Sequence, residues 1–332
     1  MRIAWLLACA SVCVGAQEPG RAVLPSVTVT ATARDPVEKS YRKMLRGMDL
    51  FERQHGMAPG ASLRFKLLPR RHDTDINHVV LEVVGPTVET PVPIAPDHTF
   101  TLTRDQRALD EDAVVTPNRK AMSMTWRTEI RTPGLAPDTR RLGDLRLECQ
   151  VGIEAGLVSN VRSIIGAIAS LFSDARSYCD KPDARYLFFS DRPLFSVALS
   201  AGTRREVLPV SKLYAGASED AAVNDDLAYC DCEVLLDRTY FLPLGDHSWP
   251  DDTLIEFDYM DGAGADAGDK RTKSEVLAAF GQATTIKFDS GFEVWVYRDK
   301  RSQDAPRAAA ERVILFGPSG VVQKIRVRPP HG

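Results

Sequence analysis

The chain has no excess of basic residues: 42 Lys and Arg stand against 45 Asp and Glu, for a formal net charge of −3. That balance removes the electrostatic footprint expected of a nucleic-acid binder. Glycine and proline, 22 and 21 among 332 residues, follow no period, which excludes collagen-like and low-complexity classes. No apolar run reaches the roughly 18 to 20 residues that a spanning helix needs. Catalytic signatures are also missing. There is no GxSxG elbow and no phosphate loop, and the run GAGADAG (residues 262–268) has neither the spacing nor the strand-turn-helix setting of a dinucleotide fingerprint. The reading is therefore of a non-enzymatic protein without a cofactor.

What is present begins at the first residue. MRIAWLLACASVCVGA (residues 1–16) has one arginine, an apolar run from Ile3 to Val14, and small residues at Val14 and Ala16, which is the pattern of a secretory signal peptide. A lipoprotein signal is the alternative, since Leu6, Leu7 and Ala8 precede Cys9, but only eight residues stand before that cysteine. Export predicts a periplasmic protein, with outer-membrane association peripheral at most. Cleavage would leave Cys149, Cys179, Cys230 and Cys232, an even set suited to two disulfides. The Cys230-Asp231-Cys232 spacing is tighter than a zinc-binding CxxC and fits poorly to a bond within the pair, so each is expected to reach back to Cys149 or Cys179.

Residues 17–35 read as a flexible lead; SVTVTATAR (residues 26–34) within it resembles a TonB box but has no barrel to serve. Asp35, Pro36 and Glu38 predict a first helix with Tyr41, Met44, Met48 and Phe51 on one face. The runs SLRFKLL, HVVLEVV, HTFTL, MSMTWRTEI and DLRLECQV predict strands of a β-sandwich-like domain over residues 36–152. A broad apolar face from Leu157 to Phe172 predicts a connecting helix within residues 153–180, and strands resume across a second β region at 181–249.

The C-terminal part, 250–330, carries a half-buried strand TLIEFDYM, a capping box Thr272-Lys273-Ser274-Glu275 opening SEVLAAF, and three strand signals: TTIKFDS turning into FEVWVYR, then ERVILF, then VVQKIRVR. The run SEVLAAFGQ, the Trp295-Val296-Tyr297 strand, the ILF strand and the ending GPSGVVQKIRV resemble the SmpA/OmlA, or BamE-like, family of small outer-membrane proteins over about residues 253–328. The resemblance implies a helix packed on a small antiparallel sheet, a Gram-negative host and a role beside outer-membrane assembly proteins. Ala283 stands where the family commonly has proline, and no lipidated cysteine matches the family's anchor. The fold expected is α+β: β-sandwich-like N-terminal and middle regions with two added helices, then a BamE-like αβββ domain.

Binding candidates lie in that last module. Tyr297 sits beside Trp295 on a strand, with Trp295 assigned to the core, and Lys324, Arg326 and Arg328 form a basic stripe opposite an apolar face of Val321, Gln323, Ile325 and Val327. Elsewhere, His72, Asp73, Asp75 and His78 crowd into seven positions and are the weak metal candidates, though their spacing matches no established motif. Asp261, Asp266 and Asp269 lack the alternation of a calcium loop. The function expected is protein binding in the cell envelope, in outer-membrane assembly or maintenance. The alternative is a periplasmic glycan- or peptidoglycan-binding protein, or an envelope hydrolase, with its site between the β domains.

Overall fold

Strand β1 (Lys39–Ser40) leads directly into helix α1 (Tyr41–Gln54), whose N-cap is Ser40, its hydroxyl accepting from the Lys43 N–H at 3.4 Å. The helix thus starts later than a cap at Asp35 predicts; Asp35 and Pro36 lie outside the described residues. The computed structural model describes residues 37–120, 123–157, 175–182, 184–219, 235–262, 271–298 and 310–328. All of them belong to the unit Ala33–Gly332. The signal-like segment, the 26–34 run and most of the predicted connecting helix fall outside.

The protein is α+β. In its N-terminal part, β2 (Ser62–Pro69) pairs with β5 (Thr99–Phe100) and β7 (Met124–Arg131), while β3 (Leu81–Val84), β4 (Glu89–Pro91) and β6 (Val114–Pro117) join β1 in the order β1-β6-β3-β4. Phe65, Leu67 and Trp126 from the first sheet and Leu81, Val83 and Val115 from the second meet in one core, closed by Tyr41, Met44 and Leu45 of α1. Period-two alternation puts these side chains on one face of each strand. Short helix α2 (Gln106–Asp110), capped by Asp105, closes one side.

The run DLRLECQV is not a strand. It forms the middle of helix α3 (Leu142–Glu154), which follows β8 (Thr139–Arg141) without a break and is buried from Leu142 to Gly152. Its tight seating explains two glycines. At Gly143 an added Cβ would lie 2.3 Å from the Met57 carbonyl oxygen, and at Gly47, where α1 crosses α3, 2.8 Å from Ala155 Cβ. Cys149 of α3 is bonded to Cys179 of α4 (Ala175–Cys179), their Cα atoms 6.1 Å apart. The pairing that sends Cys230 and Cys232 back to these two residues is therefore overturned. The cause is the packing of α4 on α3, which brings the earlier pair within bonding range of each other. Cys230 and Cys232 lie outside the described residues.

The middle sheet has the order β11-β10-β13-β8, built from β10 (Leu194–Ala201), β11 (Arg204–Val207), β13 (Leu254–Tyr259) and β8, with β9 (Phe188–Phe189) and β12 (Thr239–Tyr240) pairing separately. Strand β13, grouped in the sequence with the C-terminal module, is thus hydrogen-bonded between β10 and β8. The module's own sheet is an antiparallel meander of β14 (Thr284–Lys287), β15 (Glu293–Arg298), β16 (Glu311–Phe316) and β17 (Val322–Arg328), preceded by α5 (Lys273–Phe280). One face of this sheet, with Ile286, Val294, Val296, Val313 and Leu315, enters the same core as α3, β10 and β13. The other face receives Val276 of α5 against Trp295, Ile314 and Phe316.

Candidate interaction surface

The capping box forms as its residues dictate. Thr272 Oγ1 accepts from the Glu275 N–H at 3.4 Å, Glu275 Oε2 accepts from the Thr272 N–H at 2.7 Å, and Gly281 at φ 77° ends the helix after Phe280. Trp295 is core, as the alternation predicts, its Nε1 donating to Glu293 Oε1 at 2.6 Å.

The basic stripe is not a wet face. In the β16–β17 register, Lys324, Arg326 and Arg328 stand opposite Leu315, Val313 and Glu311, on the side packed against the middle sheet. Lys324 is only 3% exposed, its Nζ donating to Asp258 Oδ1 at 2.5 Å and to the Tyr259 carbonyl at 2.7 Å. Arg328 Nε reaches the Val207 carbonyl at 3.1 Å and Arg326 Nη1 the Leu208 carbonyl at 2.8 Å. Among the described residues, Nε and Nη2 of Arg326 have no hydrogen-bond partner, and burial lowers its pKa from the ordinary guanidinium value. These three cations tie the module to β11 and β13 and are not available to headgroups or an acidic partner. Conversely, Val327, assigned to the core, is 59% exposed. With both faces of the sheet covered over most of its area, alternation separated the two faces without saying which was wet.

Tyr297 lies on the α5 side, where the surface is open. Its hydroxyl donates to the Gly281 carbonyl at 3.1 Å, and its ring packs 5.6 Å from that of Phe280. Two guanidiniums cover Phe280: Arg312 at 4.8 Å and Arg271 at 5.6 Å from the ring centroid. Arg312 is the cross-strand neighbour of both Tyr297 and Val327, and it is exposed. Leu277, 39% exposed, adds an apolar side chain one turn before the helix end. The nearby carboxylates are committed, Glu275 to the cap and Glu293 to Lys273 and Trp295. The patch is thus aromatic, apolar and cationic, a composition enriched where proteins bind proteins. Sequence reasoning found Tyr297 and missed Phe280 and Arg312; the signal for Arg312 was its place opposite Tyr297 in adjacent strands.

The histidine-aspartate run divides. Asp75 Oδ2 meets His78 Nδ1 at 3.0 Å and Oδ1 accepts from the Asn77 N–H at 2.8 Å, which holds the Asp75 carboxyl below its ordinary range, the His78 contact first. His72 and Asp73 do not join them, and among the described residues no group of three His, Cys, Asp or Glu side chains is placed to hold a metal. Asp261 pairs with Arg192 at 2.6 Å, while Asp266 and Asp269 lie outside the described residues.

The deepest charged cluster is the pair Arg140–Glu148 between β8 and α3. Arg140 Nη2 donates to Glu148 Oε1 at 2.5 Å and to the Ile130 carbonyl at 2.7 Å, and the same carboxylate oxygen accepts from the Ile130 N–H at 2.7 Å. Burial pushes the Glu148 carboxyl up to about 7, with Arg140 opposing and Glu129 reinforcing. For Arg140, burial works against the charge, and Glu148 and Glu129 more than reverse it. Next to it, Asp191 bridges Lys66 at 2.5 Å and Arg131 at 3.1 Å. These pairs join the N-terminal sheets to the middle one. Among the described residues no helix is long and apolar enough to cross a membrane. Comparison with known proteins finds no matching family model, no matching curated relative and no matching solved structure.

Proposed function

We propose that this chain is a non-enzymatic cell-envelope protein that acts by binding another protein through the α5 face of its C-terminal sheet. The observation that carries the reading is the Phe280 ring held under Arg312 and Arg271, flanked by Tyr297, Leu277 and Val327, with the neighbouring carboxylates already engaged. Aromatic side chains and arginine are enriched at protein interfaces, where a few residues carry most of the binding energy. The signal-like first sixteen residues support export, and the likeness of residues 253–328 to the BamE-like family, on β-sandwich-like N-terminal and middle regions, supports a place in outer-membrane assembly or maintenance.

The test is a photo-crosslinking amino acid at Val327 in intact envelopes of the host. The reading expects one dominant crosslinked protein, lost in Phe280→Ala and in Arg312→Glu while the fold survives. Crosslinks that are absent, or unchanged by both substitutions, would refute it.

A further inference from the structure

Several exposed arginines of this chain hold a carboxylate: Arg104 pairs with Asp49 and Glu52, Arg192 with Asp261 and Arg205 with Glu256. Arg312 is also exposed, yet among the described residues it forms no ion pair and no hydrogen bond. Its guanidinium instead lies over the Phe280 ring, 4.8 Å from the centroid. That contact restrains the side chain without supplying an anion for its N–H donors.

The strand register sets what surrounds it. Tyr297 on β15 and Val327 on β17 are its direct cross-strand partners, so an aromatic and an apolar side chain flank it on the same face of the sheet at roughly 5 Å. Val327 is 59% exposed and Leu277, one turn before Phe280 on α5, is 39% exposed. Helix α5 covers the neighbouring part of this face, where Val276 packs against Trp295, Ile314 and Phe316, and leaves the row Tyr297, Arg312, Val327 open. The nearest carboxylate in sequence, Glu311, is turned to the opposite face, where it is 5% exposed and holds Arg298 and the Val210 N–H.

A partner that covers Val327 and Leu277 also takes Arg312 out of water. Burying a guanidinium without a counter-charge is strongly unfavourable, and this chain places no carboxylate beside it, so the anion has to arrive with the partner. A lone guanidinium next to the C-terminal, negative end of α5 suits one negative charge better than the dianion of a phosphate. We infer that the protein segment docking on this face carries an acidic side chain, Asp or Glu, that pairs with Arg312 and is bracketed by apolar side chains resting on Val327 and Leu277. That pairing presupposes the protein-binding reading of the same face, because an Arg312 left in water needs no counter-charge.

The test follows methyl and arginine Nε–H signals of the full chain by NMR during titration with three capped pentapeptides, acetyl-Ala-Leu-X-Leu-Ala-amide, where X is Glu, Gln or phosphoserine. The Glu peptide is expected to shift the Val327 and Leu277 methyls and the Arg312 Nε–H saturably, and to bind about tenfold more tightly than the Gln peptide, the loss of one charge-assisted contact. Arg312→Gln should erase that preference while the remaining spectrum stays unchanged, and Arg312→Lys, which keeps the charge but not the planar fork, should retain part of it. Equal affinity for the Glu and Gln peptides, no saturable shift at these residues, or tighter binding of the phosphoserine peptide would overturn the inference. The Val327 crosslink separates this result from the broader reading. A crosslink that forms and survives Arg312→Gln overturns the carboxylate pairing and leaves protein binding standing, whereas the absence of any crosslink overturns protein binding whatever the peptides do.

Discussion

Arg140 and Glu148 form an ion pair with both side chains less than a tenth exposed, joining the last strand before α3 to the centre of that helix. Taking two charges out of water is costly, and the pair is tolerable because Ile130 supplies both an N–H and a carbonyl to it. Removing one partner strands the other. Glu148→Ala is expected to cost about 3–5 kcal/mol in urea unfolding.

The same pair gives a pH dependence. A Glu148 pKa raised to about 7 from an ordinary 4.5 means that the folded state holds this proton more tightly than the unfolded chain does. Its contribution is full below the unfolded value and is lost as pH rises through 7. Stability should therefore fall between about pH 4.5 and 7 by on the order of 3 kcal/mol and level off above, and Glu148→Gln should flatten that slope. Urea titrations at stepped pH measure both.

Two cations on β17 should respond differently. Lys324→Met removes a donor from the Tyr259 carbonyl and from Asp258, and should cost about 1–3 kcal/mol. Arg326→Met removes a buried charge with two nitrogens unpaired among the described residues, at the loss of one bond to the Leu208 carbonyl, and should be near neutral, within about 1 kcal/mol either way. Thermal unfolding of the two variants side by side decides it.

The bond between Cys149 and Cys179 closes a loop with a sequence separation of 30. On the chain-entropy account its loss should destabilise the oxidised protein by roughly 3–4 kcal/mol. Non-reducing peptide mapping should recover this pair, and the Cys149→Ser, Cys179→Ser double variant should melt at a lower temperature.

Gly143→Ala should be among the most damaging single-methyl additions, since the Met57 carbonyl stands 2.3 Å from the new Cβ and the Asp251 backbone, which accepts from the Gly143 N–H at 2.9 Å, cannot retreat. A loss of roughly 1–3 kcal/mol is expected. Hydrogen exchange should localise it to the first turn of α3.

The strands of the C-terminal meander, its capping box and the Ser290-Gly291 turn were legible because each rests on local chemistry: alternation, a Thr-x-x-Glu pair, and a glycine at φ 85°. Helix α3 was misread for a physical reason. In Leu145-Arg146-Leu147-Glu148-Cys149-Gln150-Val151 apolar and polar residues alternate as in a half-exposed strand, yet Arg146, Glu148 and Gln150 are all buried. Arg146 is satisfied by the Leu244 carbonyl, the Asp246 carbonyl and Asp251, about a hundred residues on, and Glu148 by Arg140 and Ile130 in the preceding strands. The basic stripe failed likewise, because Val207, Leu208, Asp258 and Tyr259, which receive it, belong to another sheet. Of the candidate surface, Tyr297 was visible as an aromatic on an alternating strand. Its companions Phe280 and Arg312 needed the register that sets β15, β16 and β17 side by side.

The place of β13 between β10 and β8 has a consequence for how the chain acquires its structure. Strand β8 is made early and has a partner only when residues 254–256 arrive much later, so the middle sheet cannot close on a growing chain. Long-range pairing of this kind slows folding and keeps apolar surface uncovered until the final segments are present. Until then, α3 lacks its β13-side neighbours and the carbonyls of Asp251 and Thr253 that receive its first N–H groups. The middle sheet is therefore built to remain open until more than three quarters of the chain is available, a kinetic property that its topology sets irrespective of any ligand.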